Sequence, residues 1–124
     1  MNDLYQEIIL EEAKNPRNKG KIEDADLVLK GVNASCGDQV TIYLKVDAEG
    51  KQITDISWEG QGCAISQSAM SVLSEKIKSN QVTVNQIQSL TLTDILELLG
   101  LETISPGRIK CVTLGVSTIK KARL

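Results

Sequence analysis

Residues 39–47 read QVTIYLKVD, and within them Val40, Ile42, Leu44 and Val46 alternate strictly with Gln39, Thr41, Tyr43 and Lys45. A period of two places four aliphatic side chains on one face of a strand and their neighbours on the other. Upstream, Leu27 and Leu29 keep the same period; downstream, Ile53, Ile56 and Trp58 mark a third strand whose spacing predicts an irregularity. Gly50, in the intervening DAEGKQ, suits a hairpin turn. Three strands joined by short connections predict an antiparallel sheet with one apolar and one wet face.

The remaining segments are suited to cover the apolar face. In LYQEIILEEA, Leu4, Ile8 and Ile9 recur at helical spacing, Asn2 or Asp3 can cap the first turn, and Asn15-Pro16 marks a stop. The following NPRNKGKIEDAD, polar and broken by Pro16 and Gly20, reads as a loop carrying the chain to the sheet. QSAMSVLSEKIKS sets Ala69, Met70, Leu73 and Ile77 on one helical face, and TDILELLG ends at Gly100, a natural helix-terminating residue. SPGRIKCVTLGVSTIKKARL opens with Ser105 as cap and Pro106 in the first helical position. Lys120, Lys121 and Arg123 are expected in its last turn, opposing the negative end of the helix dipole. Strands followed by helices predict an α+β fold: a two-layer domain with a three-stranded antiparallel sheet covered by helices, one domain over residues 1–124 without internal repeats.

A chain of 124 residues and 13.5 kDa buries roughly two thirds of the surface its unfolded form exposes. With two Tyr, one Trp and no Phe, its core must be aliphatic. A formal charge of −2 and a pI near 5.2 argue against a nucleic-acid surface, which needs a basic patch and stacking aromatics. The acidic opening MNDLYQEIILEEAK lacks the order of a signal peptide, and no apolar run reaches the length of a membrane span. A cytoplasmic location without membrane association is therefore expected. Three cysteines in a reducing compartment suit free thiols, metal ligands or nucleophiles better than a disulfide framework. With no histidine, the chain by itself can form neither a Ser-His nor a Cys-His dyad.

Where the cysteines fall matters more than their number. Cys36 lies in the SCGD turn between the first two strands, Cys63 in EGQGCAIS between the third strand and a helix, and Cys111 in SPGRIKC within the early turns of the last helix. A cytosolic cysteine is ordinarily a small buried hydrophobe. These three instead occupy turns or helix starts beside Gly37, Gly60, Gly62 and Gly107, where backbone can approach a bound group and a helix N-terminus favours a thiolate. Their long spacings match none of the compact paired-cysteine zinc motifs, so only the fold can bring them together. If it does, three thiolates and one more donor complete a tetrahedral site, with Asp38 the nearest candidate; Asp38 can equally be a turn residue bonded to its own backbone. Three thiolates and a carboxylate around Zn²⁺ carry a net negative charge, which Arg108 and Lys110, flanking Cys111, can offset.

SCGD around Cys36, Gly60-Gln61-Gly62-Cys63-Ala64-Ile65-Ser66, and the third cysteine in RIKC together resemble the U-type iron-sulfur cluster assembly proteins, the group of IscU, SufU and the NifU N-terminal domain. The opening YQEIILEEAKNPRNKG is similar to that family's first helix and Asn-Pro-Arg-Asn turn, so the resemblance spans nearly the whole chain. IscU-like members carry a histidine before the third cysteine, preceded by a Leu-Pro-Pro-Val-Lys chaperone signal; here Lys110 and TISPGRI stand there. The R-x-x-C pattern from Arg108 to Cys111 resembles SufU instead, although the segment between Cys63 and Cys111 is short for that subgroup.

The resemblance implies a SufE/NifU-like fold and a zinc site held by Cys36, Asp38, Cys63 and Cys111. It also implies a sulfurtransferase-like role in which Cys36 accepts persulfide sulfur from a cysteine desulfurase (SufS- or IscS-like) while Arg108 orients the pair. Downstream iron-sulfur carrier or scaffold proteins would then be partners. Two alternatives use the same residues: a scaffold on which a labile [2Fe-2S] cluster forms, with Asp38 as its oxygen ligand, and a non-catalytic zinc-stabilised desulfurase adaptor. An ordinary thiol-redox role is disfavoured because the chain has no C-x-x-C pair.

Overall fold

The computed structural model describes residues 3–34, 37–80, 82–101, 104 and 106–122. Asn2, Cys36, Ser105 and Arg123, to which the sequence assigns a cap, a sulfur acceptor, a second cap and a helix-end cation, lie outside the described residues. The element order is α1 (Asp3–Lys14), β1 (Leu27–Asn33), β2 (Asp38–Val46), β3 (Ile53–Gln61), α2 (Ala64–Asn80), α3 (Val84–Ile87), α4 (Leu92–Leu99) and α5 (Pro106–Ile119).

The strands form an antiparallel sheet in the order β1-β2-β3, with Leu29 opposite Ile42 and Ile42 opposite Trp58. The expected irregularity is a register shift at Lys45/Val46: Lys45 faces Asp55 and Val46 faces Ile53, leaving Thr54 as the extra residue. That slip keeps Ile53 and Ile56, three positions apart, on the same buried face. Ile42, Leu44, Ile56 and Trp58 are fully buried there, each worth about 1.5–3 kcal/mol of apolar transfer.

Helices α2 and α5 lie on this face, α2 against β3 and α5 against β1 and β2, and α1 and α4 pack on α2. The fold is α+β, as the sequence pattern indicates. Its central helix differs from the amphipathic expectation. Besides Ala69, Met70, Leu73 and Ile77, α2 buries Ser66, Ser68, Ser71 and Ser74, because neighbours surround it on several sides. α5 reaches β1 closely: a Cβ at Gly31 would collide with Thr118. The helix ends at Ile119, so Lys120 and Lys121 fall in a turn beyond it and not in its last turn. Close α5–β1 packing lets Lys121 Nζ donate to the Lys30 carbonyl instead, at 2.6 Å.

Two capping boxes went unread in the sequence. Thr83 and Gln86 start the short α3, and Thr91 and Asp94 start α4, which Gly100 closes in the left-handed conformation at φ 74°. The polar loop after α1 covers the edge of β3, where Gly20 N–H donates to the Trp58 carbonyl and Trp58 N–H to the Asn18 carbonyl. Lys19 Nζ stands 5.3 Å from the Trp58 ring centroid. On the other sheet face Val28 and Val32 are exposed, but Tyr43 is buried and donates to Glu59 Oε1. That hydrogen bond holds the Tyr43 phenol above its ordinary value.

Candidate metal centre

The β1–β2 hairpin closes where Asn33 pairs with Asp38, and Gly37 supports the turn with φ 77° and an N–H donated to the Asn33 carbonyl at 2.9 Å. Left-handed backbone of this kind favours glycine, so Gly37 shapes the turn that presents Asp38. Asp38 then opens β2 with only 1% of its surface exposed. A carboxylate so deeply buried requires partners. One is the Cys63 backbone N–H, which donates to Asp38 Oδ1 at 3.2 Å.

Cys63 arrives from the adjacent strand, since β3 pairs with β2 up to Gln61 opposite Gln39 and the chain then turns through Gly62. Its carbonyl accepts from Gln67 N at 3.1 Å and from Ser66 Oγ at 3.0 Å, which puts Cys63 at the N-terminal end of α2. Backbone N–H groups at such an end favour a nearby anion. Cys111 comes from the opposite direction, on α5, buried at 5% exposure within the hydrophobic core. As the sixth residue of that helix it is not at the helix start. Of the two cysteines expected near helix N-termini, Cys63 lies at one and Cys111 does not.

Asp38, Cys63 and Cys111 converge: one ligand atom from each lies within 4.8 Å of the others. Two like unit charges at such separations repel by about 3–4 kcal/mol at an effective dielectric of about 20. Two thiolates and a carboxylate are therefore poor company without a cation and a good donor set with one. Sulfur and oxygen donors in this number fit zinc, which takes four, or the iron of a cluster. Of the four residues expected to form the site, three are brought together; Cys36, two positions before Asp38, lies outside the described residues.

Arg108 and Lys110 are exposed on the first turns of α5. Lys110 lines a surface groove with Val32, Asn33, Ala34 and Thr113, beside the turn that leads to Cys36. The sequence offered Gly62 as a glycine that lets backbone approach a bound group, and Ser66 only as part of a motif. The structure shows that a Cβ on Gly62 would run into the Asp38 carboxylate and Ser66 Oγ. The signal available was the spacing: a small hydroxyl three residues after a cysteine at a helix start can reach back to the cysteine carbonyl.

A family model described as the NifU-like N-terminal domain matches residues 4–123. The chain is 32% identical to the iron-sulfur cluster assembly scaffold protein IscU of Thermotoga maritima, over 96% of this chain and 92% of that one. It is 30% identical to the zinc-dependent sulfurtransferase SufU of Bacillus subtilis, over 98% and 90% of the two chains. Among solved structures it resembles FiSufU of Fervidobacterium islandicum AW-1, assigned as an iron-sulfur cluster assembly scaffold protein for the SUF system. The TM-score there is 0.76 at 32% identity, covering 94% of this chain and 93% of the other.

Proposed function

This chain belongs to the NifU-like N-terminal domain family, and from that premise we propose that it is an iron-sulfur cluster assembly protein acting as a zinc-dependent sulfur acceptor. The observation that carries this reading is the convergence of Asp38, Cys63 and Cys111 at the foot of the turn that bears Cys36. Asp38, Cys63 and Cys111 hold the ion, and Cys36 is the fourth ligand and the acceptor. Zinc, when bound, keeps the thiols deprotonated at neutral pH.

In the transfer, the Cys36 thiolate attacks the terminal sulfur of a desulfurase persulfide. A new S–S bond forms on Cys36, the persulfide S–S bond breaks, and the desulfurase cysteine departs as a thiolate. Sulfur moves at constant total oxidation state, so the step needs neither an external oxidant nor a histidine from this chain. Asp38 and Cys111 are enclosed and suited to stay on the ion, and Cys36, which the sequence puts between β1 and β2, is the residue we assign to meeting the partner. Arg108, exposed three residues before Cys111, is the residue we assign to orienting the incoming partner, a cysteine desulfurase of a reducing cytoplasm.

A second reading, a scaffold for a labile [2Fe-2S] cluster, is favoured by the mixed thiol and carboxylate donor set. Anaerobic isolation without added metal separates the two: near-stoichiometric zinc and a colourless protein support the acceptor, and a brown iron-containing protein supports the scaffold. A Cys36→Ala variant is expected to keep its fold and accept no labelled sulfur from the desulfurase. Normal persulfide formation on that variant would overturn the acceptor assignment. Full stimulation of the desulfurase by the same variant would point to an adaptor.

A further inference from the structure

Resting on the zinc-site reading above, we propose that Ser66 is a positioning residue of the metal centre, holding the Cys63 turn whose amide binds the Asp38 carboxylate. Ser66 is buried at 6% exposure, and its hydroxyl donates to the Cys63 carbonyl at 3.0 Å. The same peptide segment donates the Cys63 N–H to Asp38 Oδ1. One cysteine backbone thus links the serine to the aspartate, its carbonyl tied to Ser66 and its amide to Asp38.

Gly62 shows that this space is fully used. A methyl group there would overlap both Ser66 Oγ and the Asp38 carboxylate, so the hydroxyl and the carboxylate stand on the same side of the Gly62 Cα. Asp38 Oδ1 thus has the Cys63 amide at hydrogen-bond distance and Gly62 in close approach. Partners of this kind, one bond removed from the ligands, ordinarily change metal affinity by about 10–100-fold. The adjacent Ser68 supplies an internal control. It is buried on the same helix and makes the same kind of bond, Oγ to the Ile65 carbonyl at 3.0 Å, but neither Asp38 nor Cys63 is its partner.

The experiment compares wild type, Ser66→Ala, Ser68→Ala and Gly62→Ala. Zinc affinity is measured by competition with a chromophoric chelator, and the d–d spectrum is recorded with Co²⁺ in place of zinc. Ser66→Ala is expected to weaken zinc binding about 10-fold or more and to shift the Co²⁺ bands. Gly62→Ala, whose methyl group would overlap both Ser66 Oγ and the Asp38 carboxylate, should do the same, and Ser68→Ala should stay within about twofold of wild type. Thermal melts of the metal-free forms report the loss of helix stability that the two serine variants share. Ser66→Ala binding zinc as wild type does, or Ser68→Ala weakening it equally, overturns the positioning role while leaving the zinc reading intact. A wild-type protein that takes up no zinc overturns the zinc reading itself, and this inference with it.

Discussion

Helix α2 carries two buried polar regions, and they are built on opposite principles. Along its middle, Ser71 Oγ accepts from Arg17 N at 2.8 Å and donates to Glu12 at 2.6 Å, while Asn18 donates to Ser74 and to Glu75 at 3.1 Å each. Donors there meet acceptors, and the Arg17-Asn18 turn is pinned to the helix with its polar groups matched. At the N-terminal end, groups that become anions gather instead: Asp38, Cys63 and Cys111, within 4.8 Å. The first region pairs donors with acceptors; the second gathers three groups of the kind that can hold a cation. Burial alone therefore does not distinguish a structural polar cluster from a functional one. The balance of donors and acceptors does.

The largest test of this contrast is Asp38→Ala. Zinc at about 1,000 times its dissociation constant should stabilise the wild-type protein by about 4 kcal/mol. The variant is expected to bind at least about 100-fold more weakly and to lose most of that rise in melting temperature. A variant that keeps a full complement of zinc would show that the carboxylate is only a turn residue.

Ser71→Ala probes the other region. It strands the Arg17 N–H and one bond of Glu12, and should cost about 1–3 kcal/mol in denaturant unfolding while leaving zinc affinity unchanged. A parallel loss of zinc binding would erase the distinction between the two regions.

The smallest effect concerns acid. Hydrogen bonds from Ser79 and then Asn18 hold the Glu75 carboxyl below its ordinary value. A folded-state value below the unfolded one stabilises the protein above the ordinary glutamate range, and that stabilisation disappears as pH falls through the folded value. Solvent screens a partly exposed group, so Glu75→Gln should cost only a few tenths of a kcal/mol near pH 7. The difference from wild type should shrink progressively in melts as pH falls below the ordinary glutamate range. A gap that widened in acid would contradict the assigned sign.

Legibility in the sequence followed the range of the interactions. The period of two in Val40, Ile42 and Leu44 is local, and it located β2 and its buried face. The Gly100 stop of α4 and the Gly50 turn were legible for the same reason, each resting on the backbone conformation of one residue, with φ 74° and 72°. Ser71 and Ser74 stand outside the apolar set of Ala69, Met70, Leu73 and Ile77 that the sequence pattern marks. They are buried because α1 and the Arg17-Asn18 turn fold back over them, a contact between segments more than fifty residues apart. Lys121 went astray similarly, its ammonium drawn to a β1 carbonyl and away from the end of its own helix.

The candidate site divides along the same line. Sequence alone placed Asp38 in the strand-connecting turn and Cys63 at a helix start, and it excluded histidine from whatever chemistry they perform. Only the tertiary structure decided that Asp38, Cys63 and Cys111 meet, and that Gly62 leaves room for a serine to stand against the carboxylate. The physical reason is that residue type and period govern what a segment can form, whereas convergence requires α2 and α5 to pack on the same face of one sheet. That packing is an outcome of burying the whole apolar surface at once, and no short stretch of sequence contains it.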